Sequence, residues 1–448
     1  MGTTEKLAAF VVNLKYDHLP PEAVVRLKRQ CLDTIGVGLA AVTEATGRII
    51  NRYVERVGGA PECTLLGSNF KSSPAEAAFA NGTLCHALDY DDVWYPTAHP
   101  TGVTLPATLA MAEAGRVSGR DLIIAQMAAY EIMGKLHMAI TSGAGWHGTP
   151  IFGSFGATAG CCKLLNMDER ALCMAWGIAA STTSGVAGQL GTMTKPLHSG
   201  NSARVGVMAA SLAAGGFTSN QQIFDDPRGF FNAFYGSEGF DLTRVTFLLG
   251  NPFHLLSPGV GVKMYPSGYY MHHPFEAALQ LVQQHEIRPR DVADVEVGIP
   301  RAGYFDRPVI QCGLEGKFSQ QYHVAMAILD QKLEIESFSD KRALAPDVQE
   351  FLKKIKVRVD SSIPSARDLV YNPVTIRLTD GRNFTAKQDL PKSHWRYPLK
   401  REDWLEKFRN NAARALPDKR VERIIELVDK LEQLSDVREL THELAGES

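Results

Sequence analysis

None of the seven cysteines stands in a C-x-x-C pair. Cys31, Cys63, Cys85, Cys161, Cys162, Cys173 and Cys312 are odd in number and scattered, which argues for reduced thiols rather than a disulfide framework. The missing pairs also count against structural zinc and iron–sulfur clusters. Neither sign of charge is in excess: 47 Lys and Arg face 49 Asp and Glu, a formal charge of −2. That balance gives nucleic acid or a membrane surface nothing to hold. No apolar run approaches the ~18 residues of a membrane span. The N-terminus, MGTTEKLAAFVV, has no basic region leading into a long apolar run and cleavage site. Lys6 stands where a myristoylation signal wants Ser or Thr. The phosphate loop G-x-x-x-x-G-K-[ST], the nucleophile elbow G-x-S-x-G and the zincin motif H-E-x-x-H are all absent. What remains is a soluble, cytoplasmic chain that engages neither nucleic acid nor membrane.

At 448 residues the chain exceeds the ~250–300 residues of a single core, so two domains are expected. Its most crowded stretch is His86–Pro106, HALDYDDVWYPTAHPTGVTLP, dense in histidine, aspartate, aromatics and proline. His86 and Asp89 are three apart, so in a helical turn they share a face. Asp91 and Asp92 continue the acidic run, and like charges this close raise at least one carboxyl pKa. Pro96 and Pro100 bracket His99 and predict a stiff, non-helical segment there. The stretch reads as one wall of an acid/base site.

Pro20 and Pro21 lead into a helix with Val24, Leu27, Cys31 and Ile35 on its buried face. The residues from Pro74 to Gly115 are Ala-rich and helical on both sides of the crowded stretch. Asp121–Ile140 is apolar nearly all round, the mark of a helix inside a bundle. Gly153, Gly156 and Gly160 follow, and they permit close helix approach; with no strand pattern before them they are not a dinucleotide fingerprint. His147 stands at the mouth of that helix. Further on, a Gly/Thr loop containing Lys195 and His198 precedes a helix predicted to start near Ser199 or Asn201. After about Pro258 the pattern changes. Val295, Val297 and Ile299 alternate, as do Ile355, Val357 and Val359, and VTIRLTDGRNFTA is a hairpin on Asp380–Gly381. Amphipathic helices then close the chain, most simply returning to the first domain.

The candidate chemistry lies in Asp89 with His99, in His147, in Lys195, and in the segment KMYPSGYYMHH from Lys263 to His273. Each is weak alone, because a lone histidine is more often structural. Together they describe proton transfer on an anionic substrate: a lysine beside a helix start suits a carboxylate, and Asp89 beside an imidazole sets its basicity. The sequence neighbours of Lys195, namely Thr194, Pro196 and Leu197, offer it no carboxylate, so the substrate is its expected partner. Asp89, Asp91, Asp92 and His99 are of types that bind divalent ions, but no spacing supports a closed shell, and no metal is expected.

The segments NGTLCHALDYDDVWYPTAHPTGVTLPATLAMAE, TKPLHSGNSARVGVMAASLAAGGF, KMYPSGYYMHHPFEAAL and KFSQQYHVAMAIL together resemble the MmgE/PrpD family. That family holds 2-methylcitrate dehydratase, cis-aconitate decarboxylase and iminodisuccinate epimerase, and the similarity runs on through SHWRYPLKREDWLEKFRNNA. The resemblance implies a mainly α protein with an α+β second domain. A large helical domain (1–258) would carry a smaller α/β lid (259–394), and helices from 395 to 448 would return to the first domain. It also implies a homodimer without metal or organic cofactor, with the site in the cleft between domains. By motif position, Asp89, His99, His147, Lys195 and Tyr322 would be catalytic. His86, Lys263, Gly268, Tyr269 and His272 would bind substrate, with Tyr265, Tyr270 and Met271 as further lining candidates. One position departs from the decarboxylase branch, where a histidine follows the Pro-small pair of the lid segment. Here Gly268 stands there, with His272 or His273 a turn away as substitutes.

The expected function is therefore a cofactor-free lyase acting on a citrate-like di- or tricarboxylate. It would work by dehydration or decarboxylation, moving a proton at carbon next to a carboxylate. Lys195 would hold a carboxylate and His147 or His99 would move the proton. Asp89 would orient an imidazole, and Tyr322 would donate to a carboxylate or leaving hydroxyl. The alternatives are an epimerase of a dicarboxylate such as iminodisuccinate and, more remotely, a non-catalytic binding protein.

Overall fold

The computed structural model describes every residue except 95–97, 144, 302, 304, 365–370, 393, 398 and 447–448. Pro96, one of the two prolines set around His99, lies outside the described residues. The helices of the first domain that frame the site are α1 (Pro21–Ala41), α2 (Pro74–Ala87), α3 (Pro100–Gly115), α4 (Gly119–Met138), α5 (Gly148–Leu164), α6 (Glu169–Thr182) and α7 (Thr194–Ala214). Val24, Leu27, Cys31 and Ile35 of α1 are all buried, as their spacing predicts. Ser118 and Asp168 cap α4 and α6 by accepting from Asp121 N and Ala171 N. Helices α2, α3, α5 and α7 have small side chains and almost no polar face, so they pack inside the bundle.

Helix α7 starts at Thr194, earlier than the Ser199 or Asn201 that the sequence favoured. Pro196 falls in the first turn, where its missing N–H removes no helical bond, so the loop reading of that proline was wrong. Lys195 and His198 therefore ride on a helix rather than precede it. That helix lies directly on α2: a Cβ on Gly200 would stand 2.2 Å from the Phe79 carbonyl oxygen, and one on Gly82 would stand 2.9 Å from Gly200 Cα. This backbone contact places the first turn of α7 beside the chain leaving α2. Gly200→Ala is expected to lower stability by ~1–3 kcal/mol through overpacking, read as a reduced urea midpoint. An unchanged midpoint would show that the two helices can part at no cost.

The second domain has its own core of Val295, Val297, Ile355, Val374, Ile376, Met326 and their neighbours. Strand β1 (Val93–Trp94) of the first domain pairs antiparallel with β2 (Val260–Gly261) where the chain enters the lid. The lid sheet comprises β3 (Val292–Ile299), β4 (Ile355–Val359), β5 (Val374–Leu378) and β6 (Asn383–Ala386), in spatial order β4-β3-β5-β6. Strands β3 and β4 are parallel, while β5 is antiparallel to both β3 and β6. The β5–β6 hairpin turns at Asp380–Gly381, and Gly381 adopts φ 89°. Helices α8 (His272–His285) and α9 (Gln320–Leu329) cover the sheet. Helices α10 (Arg401–Ala412), α11 (Asp418–Asp429) and α12 (Arg438–Leu444) return to the first core, where Phe408, Ile424 and Leu440 join the residues of α1. From α10, Lys407 Nζ reaches Asp33 at 2.7 Å and the Tyr90 carbonyl at 2.8 Å, bracing the crowded stretch from behind. No helix among the described residues is long and apolar enough to cross a membrane.

Candidate active site

Helix α2 ends at Ala87, and Asp89 turns the chain with φ 52°, a left-handed conformation that aspartate tolerates better than most residues. The turn aims its carboxylate between the two domains. Lys195 Nζ, from α7, lies 2.9 Å from Asp89 Oδ1. Lys263 Nζ, from the lid, lies 2.5 Å from the same oxygen and 2.9 Å from the Asp89 carbonyl. All three side chains are buried, with Lys263 at 0% exposure and Lys195 at 4%. Burial alone would raise the Asp89 carboxyl, but Lys195, then Lys263 and the imidazoles of His99 and His86, hold it well below the usual carboxylate range. The ammonium of Lys195 is pushed down by burial and held up by Asp89.

The sequence expected Asp89 to share a helical face with His86 and to orient a nearby imidazole, with His99 grouped beside it, and the structure shows neither hydrogen bond. Because the helix stops first, His86 Nδ1 pairs with the carboxylate of Asp91, at 2.9 and 3.0 Å. His99 donates from Nδ1 to the Asp92 carbonyl at 2.7 Å, and its Nε2 lies 3.9 Å from Asp89 Oδ1, too far for a hydrogen bond. The Asp92 carboxylate is received by two helices: Thr101, in the first turn of α3, donates to it from its backbone and hydroxyl, and Tyr130 of α4 donates to it at 3.1 Å. Asp92 is pushed up to about 8, first by burial and then by Asp91, so it is the neutral member of the acidic run.

His86, His99 and His147 line one wall, with ring centroids 4.5 Å apart for the tilted pair His86–His99 and 6.1 Å for the stacked pair His86–His147. Burial is the main cause that lowers all three, with Lys195 opposing the protonation of each and Lys263 that of His99, so each imidazole is neutral near pH 7. His147 immediately precedes α5, its side chain making no capping bond, and its Nδ1 stands 3.2 Å from His198 Nδ1.

The lid supplies the opposite wall, with one assignment overturned. Tyr322 is not at the cleft. Its hydroxyl donates to the Ser337 carbonyl and its ring packs on Phe338 in the lid core. The next residue along α9, His323, turns to the lid segment instead, with Nδ1 donating to the Ser319 carbonyl and Nε2 accepting from the Ser267 hydroxyl, both at 2.8 Å. Lys317 was also missed by the sequence reading. It donates to the carbonyls of Leu88 at 2.8 Å and Pro266 at 2.5 Å, and burial brings it down to about 7. His272 is fully buried beside the rings of Tyr265 and Tyr269, and neither of its nitrogens has a hydrogen-bond partner among the described residues. His273 points elsewhere, to the Gln388 carbonyl. Gly268 donates to the Lys317 carbonyl at 3.0 Å and brings no side chain to the wall, while Tyr270 packs toward Phe305 and Met271 is buried.

The arrangement has more buried cations than Asp89 can neutralise, together with neutral imidazoles, which suits an anionic substrate and proton transfer. Ligand atoms of His86, Asp89, Asp91 and His99 do lie within 4.8 Å of one another. Lys195 and Lys263 already hold Asp89, however, and a divalent ion ~4 Å from either ammonium would be repelled by roughly 8 kcal/mol at an effective dielectric near 20. The donor set fits lysines better than a metal.

Residues 5–243 match the MmgE/PrpD N-terminal domain and residues 265–433 the MmgE/PrpD C-terminal domain. The chain is 32% identical to cis-aconitate decarboxylase of Mus musculus, over all of this chain and 94% of that protein. It is also 32% identical to cis-aconitate decarboxylase of Homo sapiens, over 99% of this chain and 95% of that one. Identity to 2-methylcitrate dehydratase of Escherichia coli strain K12 is 23%, over 88% of this chain and 87% of that protein.

Proposed function

The chain belongs to the MmgE/PrpD family, and on that premise we propose that it is a cofactor-free lyase that decarboxylates a cis-aconitate-like tricarboxylate. The observation that carries this is the Lys195–Asp89–Lys263 cluster, buried between two domains and faced by neutral imidazoles. Lys195 binds a substrate carboxylate while Lys263 brings the lid onto it. His99, whose Nδ1 is committed to the Asp92 carbonyl, presents a bare Nε2, and His147 lies on the same wall with His86 next to both rings. Decarboxylation is the first reading because full-length relatives at 32% identity carry that activity. Dehydration of a 2-methylcitrate-like hydroxy acid is the second, supported by the more distant relatives. The enzyme is taken to act as a cytoplasmic homodimer.

The test is incubation with cis-aconitate, citrate, 2-methylcitrate and iminodisuccinate in deuterated water, with and without a chelator, reading products by mass. Carbon dioxide release with one deuterium gained at carbon is expected from cis-aconitate, at the same rate with chelator present. Deuterium entering any of these acids without loss of carbon dioxide or water would make the enzyme an epimerase.

A further inference from the structure

Two of the three imidazoles on the body wall have their hydrogens fixed by neighbours that only accept. His99 donates from Nδ1 to a carbonyl and His86 from Nδ1 to the Asp91 carboxylate, so both neutral rings carry a bare Nε2. Neither can hand a proton to a carbanion. His147 differs, because its Nδ1 faces another imidazole nitrogen, His198 Nδ1, at 3.2 Å. Two such nitrogens at this distance share one hydrogen. If it belongs to His198, neutral His147 carries its own on Nε2 and becomes the one N–H donor among the three. The His198 ring packs against Gly185, where a Cβ would lie 3.3 Å from it, and it is only half-buried. His147 is half-buried as well, but burial takes it well below the usual histidine range and brings His198 only to about 4; Val186, which follows Gly185, is 47% exposed, so His198 is the member of the pair nearer to water.

We infer that His198 is a positioning residue that makes His147 the proton donor of the reaction and supplies it with a replacement proton from solvent. This rests on the decarboxylase reading. There, the bond to the departing carboxylate breaks, carbon dioxide leaves, and the electron pair stays on carbon. Carbon takes the proton from His147 Nε2. His147 Nδ1 takes the bridging proton from His198, and His198 Nε2 takes one from water. One solvent proton is consumed for each carbon dioxide released, and both rings end neutral; they return to their starting tautomers by exchange with water after product leaves. Dehydration consumes no net proton, since the proton removed from carbon leaves with the hydroxyl as water. A path from solvent to the donor is therefore what decarboxylation requires.

Two measurements test this. First, His198→Phe, which keeps a ring but has no nitrogen, should lower kcat with cis-aconitate by about 100-fold, the lower range for a lost general acid, with KM changed less than about threefold. His198→Asn, whose amide N–H can donate to His147, should recover at least about tenfold of that loss. Second, nitrogen NMR of labelled histidines without substrate should find the His147 proton on Nε2 in the wild-type protein and shared between both nitrogens in His198→Phe. A wild-type His147 protonated on Nδ1, or a His198→Phe enzyme with kcat within threefold of wild type, overturns the assignment. If the wild-type enzyme releases no carbon dioxide from any acid, the functional reading falls, while the NMR result still decides what His198 does to His147.

Discussion

Lys195→Ala is expected to lower kcat/KM at least ~100-fold, about 2.7 kcal/mol of transition-state binding, while leaving the folded chain intact. The residues beside Lys195 in sequence offer no carboxylate, but the fold brings Asp89 to 2.9 Å. Deleting the lysine does not leave that carboxylate bare, because Lys263 remains on the same oxygen at 2.5 Å. Stability therefore holds and the substrate carboxylate loses its partner. Lys195→Arg should not restore activity: a planar fork replaces a compact ammonium in a space closed by the Phe318 ring, 5.4 Å from Nζ. Steady-state kinetics together with a urea midpoint check both halves. An alanine variant keeping more than a tenth of wild-type efficiency would rule out the carboxylate-clamp role.

Asp89→Ala should do the opposite and unsettle the fold itself. It strips the counter-charge from Lys195 and Lys263, two ammoniums with almost no access to water. Removing one partner of a buried ion pair costs ~3–5 kcal/mol, and here one carboxylate serves two cations. The lid contact suffers too, since Lys263 reaches across the cleft to both the carboxylate and the carbonyl of Asp89. The expected results are a lowered urea midpoint and faster limited proteolysis between the domains. Asp89→Asn, which keeps the left-handed turn but not the charge, should fall between alanine and wild type. The wild-type contribution has a defined pH range. Because the folded carboxyl is depressed, its stabilisation is in force above the unfolded value of ~3.9. It is lost only as pH falls through the lower folded value. An alanine variant within ~0.5 kcal/mol of wild type would remove Asp89 from the centre of the site.

Much of the architecture is written locally. The period of Val24, Leu27, Cys31 and Ile35, and the alternation of Val295, Val297 and Ile299, each express which face of one element avoids water. Such patterns survive without knowing any partner. The crowding of Asp, His and Pro after α2, and a lysine beside Pro196, are likewise matters of composition. They led to Asp89, His99, His147 and Lys195, which the structure gathers with His86 and Lys263 into one cluster.

Which group serves which is a different matter, decided only in three dimensions. Asp89 and His86 look like partners at three residues' separation, yet the helix ends between them and the left-handed turn hands His86 to Asp91. Tyr322 and His323 are adjacent, but each step along a helix rotates the side chain by ~100°. Tyr322 thus enters the lid core and His323 meets Ser267. The pairing of His147 with His198 depends on α7 beginning at Thr194 and lying against the mouth of α5, and no local pattern records that. Sequence determined the chemical inventory and the faces of the elements, because burial preference is a property of each residue. The tertiary structure determined proton positions and charge partners, because these depend on distances of a few ångströms between residues far apart in the chain.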